Sequence, residues 1–385
     1  MSDLCQRERC TGCTACASIC PKGCITMAAD ENGFRYPVVD EADCVGCGLC
    51  TKVCPVLEDR RPGHEPKAWA ANSRDTDLRM GSSSGGVFSE LARLILAEGG
   101  AVCGAVYDDR FRVVHTLAED EEELARMRGA KYAQSDLDGI FSEIKARLER
   151  GQQVLFSGTP CQVGGLLAFL GKPCENLTTV DFVCHGVPSP MVWESYVALL
   201  EKDGPIRRID LRAKDTGWSR YQYCHRIEGV GVRTRRIPNS ESLFMKLFVG
   251  DHINRLSCSD CAFKGFARVS DLTIGDFWGI WDIAPEMDDD RGTSVVLIQS
   301  DRGQELWDRL EGRLVRKPVS LEEASAQNGS MLVSSPAAAD RAGLLERIRG
   351  GDLAGCAELF PVWRPTLVQR IKERVAGIVH RIWRR

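Results

Sequence analysis

Two runs of four cysteines constrain this chain more than anything else in it. The first reads CTGCTACASICP and sets Cys10, Cys13, Cys16 and Cys20 ahead of Pro21. The second reads CVGCGLCTKVCP and sets Cys44, Cys47, Cys50 and Cys54 ahead of Pro55. The thiols and prolines of one run recur in the other at a constant offset, an internal repeat that chance does not supply. Three cysteines two residues apart turn their sulfurs onto three irons of one cube. The fourth, beside a proline that stops the turn, points away and reaches the other cube. The spacing predicts one 4Fe–4S cluster on Cys10, Cys13, Cys16 and Cys54, and a second on Cys44, Cys47, Cys50 and Cys20. Zinc also takes paired cysteines, but it wants two pairs rather than three plus one. Between the runs, Ile25–Met27 and Phe34–Val39 flank Asn32-Gly33, a hairpin turn signal.

Residues from about 5 to 58 resemble the dicluster ferredoxins. A unit of that size has little core of its own, so its clusters are expected to hold it together. The chain has 385 residues, room for two or three domains at ~100–200 residues each. The net charge of −4 gives no global pull toward nucleic acid, and none is expected as a partner. Eighteen cysteines would suit a secreted disulfide protein, were it not for the iron ligands among them and the lack of a signal peptide after Met1-Ser2-Asp3. A reducing cytoplasm is the expected location. Residues 59–67 are charged and proline-containing and read as a linker.

From Trp69 the pattern alternates strand and helix. Gly81 to Gly86 open a helix bearing Val87, Phe88, Leu91, Leu94 and Ile95 on its apolar face. Small residues ahead of a helix leave backbone N–H groups open to a phosphate. A plain loop with a serine N-cap is the alternative. Lys131 and Tyr132 could meet a phosphate and a ring, or be ordinary surface. Val154–Ser157, Gln162–Leu170 and Thr179–Val183 form a βαβ unit, so the two strands run parallel. Cys161 and Cys184 then stand at strand carboxyl ends, where open α/β sheets bind ligands. With the later pair Cys258 and Cys261 they make four thiols, enough for a third cluster. Small buried hydrophobes plus a stray pair would give the same letters.

Three runs then carry a family resemblance: Ser157–Gln162 (SGTPCQ), Asp181–Ser189 (DFVCHGVPS) and Ser270–Gly279 (SDLTIGDFWG). With their order kept from about Lys67 to Ser300, they resemble the coenzyme F420 hydrogenase/dehydrogenase beta subunit family. The resemblance implies an α/β flavoprotein that binds FAD and one 4Fe–4S cluster, whose cysteines map onto Cys161, Cys184, Cys258 and Cys261. It maps flavin contacts onto Ser84, Gly85 and Gly86, onto the Gly129–Tyr132 segment with Lys131 and Tyr132, and onto Gly292, Thr293 and Ser294. His185, beside a cluster cysteine, is the candidate general acid. Arg212–Trp218 could face an anionic ring-bearing substrate or be a surface turn. Asp276–Trp281 could edge a cofactor or be core, and Asp288–Arg291 read as a solvated loop.

The expected architecture is α+β or α/β. A dicluster ferredoxin domain (1–58) and linker (59–67) precede an FAD- and 4Fe–4S-binding domain with a mixed sheet (68–335), and a helical tail (336–385) follows. In the tail, Leu367, Ile371, Val375, Ile378 and Ile382 mark one face of a basic amphipathic helix. That helix suits an anionic membrane surface, a partner or its own domain. The expected activity is that of an iron–sulfur flavoprotein oxidoreductase. It would relay electrons between the clusters, FAD and an organic acceptor such as coenzyme F420, with a redox protein or ferredoxin as partner. The alternatives are an electron-transfer subunit without a substrate, or an accessory protein in polysaccharide synthesis.

Overall fold

The computed structural model describes residues 4–58, 63, 65–231 and 233–360. The expected basic helix and most of the linker's 59–64 stretch lie outside these residues.

The N-terminal unit is two short helices and a hairpin. α1 (Ala15–Ile19) carries Cys16 and α2 (Leu49–Lys52) carries Cys50. β1 (Ile25–Ala29) pairs antiparallel with β2 (Arg35–Val39), Ile25 opposite Val39. Asp30 builds the turn by accepting from the backbone N–H of Asn32 at 3.0 Å and of Phe34 at 2.9 Å. Gly33 has φ 81°, as the turn signal requires.

The body begins with β3 (Lys67–Ser73), α3 (Thr76–Met80), α4 (Val87–Ala97), the hairpin β4 (Ala101–Tyr107) and β5 (Val113–Ala118), α5 (Glu121–Met127) and α6 (Ile140–Glu149). The βαβ unit follows as β6 (Val154–Gly158), α7 (Pro160–Leu170) and β7 (Leu177–Phe182), and its strands are parallel as expected. After α8 (Pro190–Glu201) comes a separate antiparallel sheet of β8 (Ile206–Ala213), β9 (Cys224–Gly229) and β10 (Arg235–Pro238). The chain then runs through α9 (Leu243–Val249), β11 (Leu272–Asp276), α10 (Ile280–Ile283), β12 (Ser294–Ile298), α11 (Asp301–Arg309), β13 (Leu314–Val319), α12 (Leu321–Ser325) and α13 (Arg341–Arg349).

Eight strands form one mixed sheet in the order β13-β3-β12-β11-β7-β6-β4-β5. Strands β4, β6, β7 and β11 are mutually parallel, and β12 and β5 run against their neighbours. Side chains alternate between the faces, so Leu155 meets α4, α5 and α11 on one side while Val154 and Phe156 meet α6 and α7 on the other. Around α10 and α12 a further cluster covers β3 and β12. Leu344, Leu345, Ile348, Leu353 and Cys356 share a core with Trp193 and Tyr196 of α8, so residues 341–360 are part of the body.

The N-terminal unit is docked on this body. The hairpin tip sits on the start of α8: Ser189 Oγ donates to Asn32 O at 2.6 Å, and a Cβ on Gly33 would stand 2.9 Å from Met191 N. Arg255, 2 % exposed, donates to Cys10 O at 2.7 Å, Arg35 O at 3.0 Å and Gln134 Oε1 at 2.9 Å. Its guanidinium lies 4.1 Å from the Tyr36 ring centroid.

Candidate iron–sulfur and cofactor sites

The thiols of each crossed group lie near one another. Cys20, Cys44, Cys47 and Cys50 line one cavity of about 570 Å³. Cys10, Cys13, Cys16 and Cys54 form the other group. Burial pushes the Cys16 thiol up to about 12, and the nearby Cys10 and Cys54 push it further in the same sense. A desolvated thiol raised by its neighbours is a poor thiolate alone and a good ligand for a cationic core, which deprotonates it on binding. Left-handed Thr14 (φ 67°) and Gly48 (φ 71°) turn the chain into α1 and α2 and so aim the looped cysteines inward. Each group has a fifth thiol that the spacing did not assign: Cys24 beside the second, and Cys5, whose thiol bonds Cys54, beside the first.

Cys161, Cys184, Cys258 and Cys261 also converge. Cys161 follows β6 and Cys184 follows β7, at the carboxyl edge of the sheet. A box between Thr159 and Gln162, with Pro160 at the first position, fixes the start of α7 and therefore Cys161. The Cys258 segment is brought over by Arg255 N donating to Val187 O at 2.9 Å, and Cys258 N to Arg255 O at 3.0 Å. Lys264 Nζ donates to Cys184 O at 2.7 Å and Ser330 O at 2.6 Å, closing the loop around the thiols. Burial raises Cys184 well above its ordinary value, with Cys258, Cys161 and Cys261 adding to it. Among the described residues no group of three or more His, Cys, Asp or Glu is placed to hold a single metal ion. The first and third groups share α7, since a Cβ on Gly165 would meet Cys13 Sγ at 3.0 Å.

The residues expected to contact flavin fall on the same edge. Ser84 Oγ donates to Thr293 O at 3.0 Å, and Gly85 N donates to Ser294 Oγ at 2.9 Å. A Cβ on Gly85 would lie 2.3 Å from Ala71 O, so only glycine fits. The cap of α4 is Gly86 (φ 88°), with no side-chain hydrogen bond, in place of the serine that a plain capped loop would supply. Lys131 is not simple surface: Nζ donates to the carbonyls of Met127, Arg128 and Gly129, each at 3.1 Å, and burial lowers it to about 7. Tyr132 packs at a tilt on Phe248, ring centroids 5.0 Å apart, and the Phe248 ring also meets His185 at 5.1 Å. His185 itself is held by Ser330 at 3.1 Å and Asp251 at 3.0 Å, and burial lowers it from its ordinary value.

Charged runs that read as solvated are tied into this network. Arg212 donates to both Asp276 oxygens at 2.8 and 3.0 Å and to Tyr132 Oη at 3.2 Å, with Tyr223 and Trp278 under its guanidinium. Lys214 Nζ donates to Arg79 O at 2.7 Å and Ser84 O at 2.6 Å, and burial followed by the Arg79 charge lowers it to about 7. Asp290 accepts from Trp218 N and Ser219 N, both at 2.8 Å, and Asp289 pairs with Arg79. The surface-turn reading is corrected at Arg212, Lys214 and Trp218, which are buried, whereas Asp289, Asp290 and Arg291 are exposed as a solvated loop requires and only Asp288 is buried. A second cavity, about 1220 Å³, reaches Cys261, Lys264, Arg268, Pro160 and Pro55. None of the eight expected flavin contacts lines it.

Fold and thiol groups together define an iron–sulfur electron-transfer protein on a mixed α/β scaffold. The chain belongs to the coenzyme F420 hydrogenase/dehydrogenase beta subunit family: residues 68–141 match the model of its N-terminal part and residues 151–321 that of its C terminus. Residues 9–57 match the 4Fe-4S dicluster domain. A relative is a subunit of the F(420)H(2) dehydrogenase of Methanosarcina mazei, 26% identical over 179 residues, which are 42% of this chain and 49% of that protein. The chain thus spans about half the length of the curated relative it matches. A chain of the F420-reducing [NiFe] hydrogenase complex from Methanosarcina barkeri is similar at 17% identity and a TM-score of 0.47, covering 78% of this chain and 94% of that one. No helix among the described residues is long and apolar enough to cross a membrane.

Proposed function

We propose that the chain is an iron–sulfur flavoprotein oxidoreductase. Its electrons pass between the two N-terminal clusters, a third cluster on Cys161, Cys184, Cys258 and Cys261, FAD, and an organic acceptor of the coenzyme F420 class. The observation that carries this reading is the convergence of those four cysteines at the sheet edge, with Cys13 packed against Gly165, one helical turn along α7 from Cys161. The residues that the family resemblance maps to flavin lie together beside the sheet's carboxyl edge: Ser84 and Gly85 bond Thr293 and Ser294, Arg79 and Lys214 reach the carbonyls of Gly292 and Ser84, and Tyr132 bonds Arg212. When bound, the flavin would exchange single electrons with a cluster and a hydride with the acceptor.

The side chains have narrower tasks. Arg212 holds Asp276 and Tyr132 in one plane of contacts, and Lys264 ties the Cys184 segment to Ser330. His185, between Ser330 and Asp251, stands next to a cluster cysteine and is the residue proposed to hold the proton. Protein partners are expected on the same reading, because the Methanosarcina mazei relative is one subunit of a dehydrogenase.

Anaerobic purification with iron, sulfide and flavin quantified tests the proposal. The intact chain should hold about twelve irons and one flavin, and Cys184→Ala should lose about four of the irons. A wild-type chain with about eight irons removes the third cluster, and one without flavin removes the flavoprotein reading. Turnover only with a partner present would make the chain an electron-transfer subunit.

A further inference from the structure

The cavity of about 1220 Å³ lies against both thiol groups that share α7. Cys261 lines it, as do Pro160, the residue before Cys161, and Pro55, the residue after Cys54. A Cβ on Gly164 of α7 would stand 2.9 Å from the Phe263 ring and 3.4 Å from Pro55 Cβ, so the helix draws these walls together. Asp181, Ser270 and Arg268 line the cavity too, and they are 0, 2 and 3 % exposed. Among the described residues no hydrogen bond reaches either Asp181 side-chain oxygen, Ser270 Oγ or Arg268 Nη1. Arg268 Nη1 stands 3.8 Å from Asp181 Oδ2, an ion pair too long to be a hydrogen bond. The rest of that guanidinium is engaged, Nε on Gly265 O and Nη2 on Met331 O, both at 3.3 Å, which fixes where Nη1 points. Burial raises the Asp181 carboxyl above its ordinary value, against the pull of Arg268, and so favours a protonated acid that can donate. Buried polar groups are costly to leave bare, and a cavity beside them marks where their partner enters.

The remaining walls are largely apolar, with Leu167, Phe263 and Ile298 within and Leu332 and Val333, 38 and 67 % exposed, at the lip. Basic and acidic side chains of the described residues line it in equal number, so no net charge selects an ion. We propose that this cavity is a second acceptor site, which takes a neutral ring compound of the quinone class and bonds its carbonyl oxygen to Arg268 and Ser270. None of the residues mapped to flavin lines it, so its electrons come directly from the clusters. That route rests on the reading of the first and third thiol groups as 4Fe–4S clusters. Each of the two reduced clusters gives up one electron. The quinone takes both, together with two protons from water at the lip, and leaves as the hydroquinone.

Duroquinone, a water-soluble benzoquinone, tests the site on the anaerobically purified holoprotein, by equilibrium dialysis with iron and flavin quantified alongside. The oxidised wild type should bind it. Ser270→Ala, which removes one donor, should weaken binding about fivefold, and Leu332→Trp, which narrows the mouth from an exposed position, should weaken it as well, both with wild-type iron and flavin. A wild type that binds no duroquinone overturns the proposal. So do folded variants that bind it as tightly as the wild type, since the quinone then sits elsewhere. Mixed with the reduced holoprotein, duroquinone should abolish the electron paramagnetic resonance of the clusters, with a half-saturation raised in S270A as much as the dissociation constant; an unchanged half-saturation overturns the acceptor role. About eight irons in the wild type would instead sink the third cluster, and this electron route with it.

Discussion

Arg255 shows how much one side chain can decide. Its guanidinium satisfies two backbone carbonyls of the N-terminal unit and one amide of the body, out of water and over an aromatic ring. Lysine cannot reproduce that fork. Arg255→Lys should lower stability by about 3 kcal/mol, because charge-assisted bonds are lost and buried carbonyls left bare. Urea unfolding of the holoprotein measures it, and a change below ~1 kcal/mol would make the clamp incidental. His115 gives a second residue-scale expectation. Burial, with Lys131 adding, lowers it to about 4, and burial lowers His225 to about 4 as well. An unfolded histidine protonates near 6.5 while these resist, so the unfolded chain binds more protons between the two values. Stability is therefore full above pH ~6.5 and falls as the pH drops toward 4, by at most about 1.4 kcal/mol per pH unit for each. His115→Gln should flatten that slope in unfolding curves recorded from pH 7.5 to 5.

Among the elements, α7 joins two thiol groups. Its capping box orients Cys161, and one turn later Gly165 lets Cys13 approach. Gly165→Ala would place a methyl 2.9 Å from Cys13 Cβ, costing about 2 kcal/mol and disturbing the first-cluster signal. Gly343→Ala in α13 meets nothing within 4 Å and should gain about 0.5–1 kcal/mol instead. A first-cluster signal unchanged in G165A would separate the helix from the cluster. The same helix shows what could be read from letters alone. The Pro160 start, the parallel strands and the cysteine at the strand end are local consequences of a short motif. Arg212 and Lys214 were illegible because a charged run looks the same in water or buried. Only Asp276, 64 residues on, and the carbonyls of Arg79 and Ser84 reveal which it is. Sheet β8–β9–β10 went unread for a related reason: its residues 206–238 carry so much charge that no apolar alternation stands out.

At the scale of the whole molecule, the dicluster domain of residues 9–57 was legible and its docking was not. The cysteine spacing is fixed by the geometry of a cube and needs no long-range partner. The seating of the N-terminal unit rests on Arg255 and Cys10, 245 residues apart, and on a hairpin tip against α8. No periodicity encodes such a meeting. The unit was expected to depend on its clusters for cohesion, yet it also leans on the body through α1, the hairpin and Arg255. That seating has a kinetic consequence. A carrier arm that swings between donor and acceptor is slowed by thick solvent in proportion to viscosity, whereas fixed stations exchange charge by tunnelling at a rate that glycerol barely alters. Flash reduction in graded glycerol should therefore find the passage from the N-terminal clusters to Cys161 and its neighbours indifferent to the medium, and a rate falling in step with viscosity would mean that the hairpin lets go.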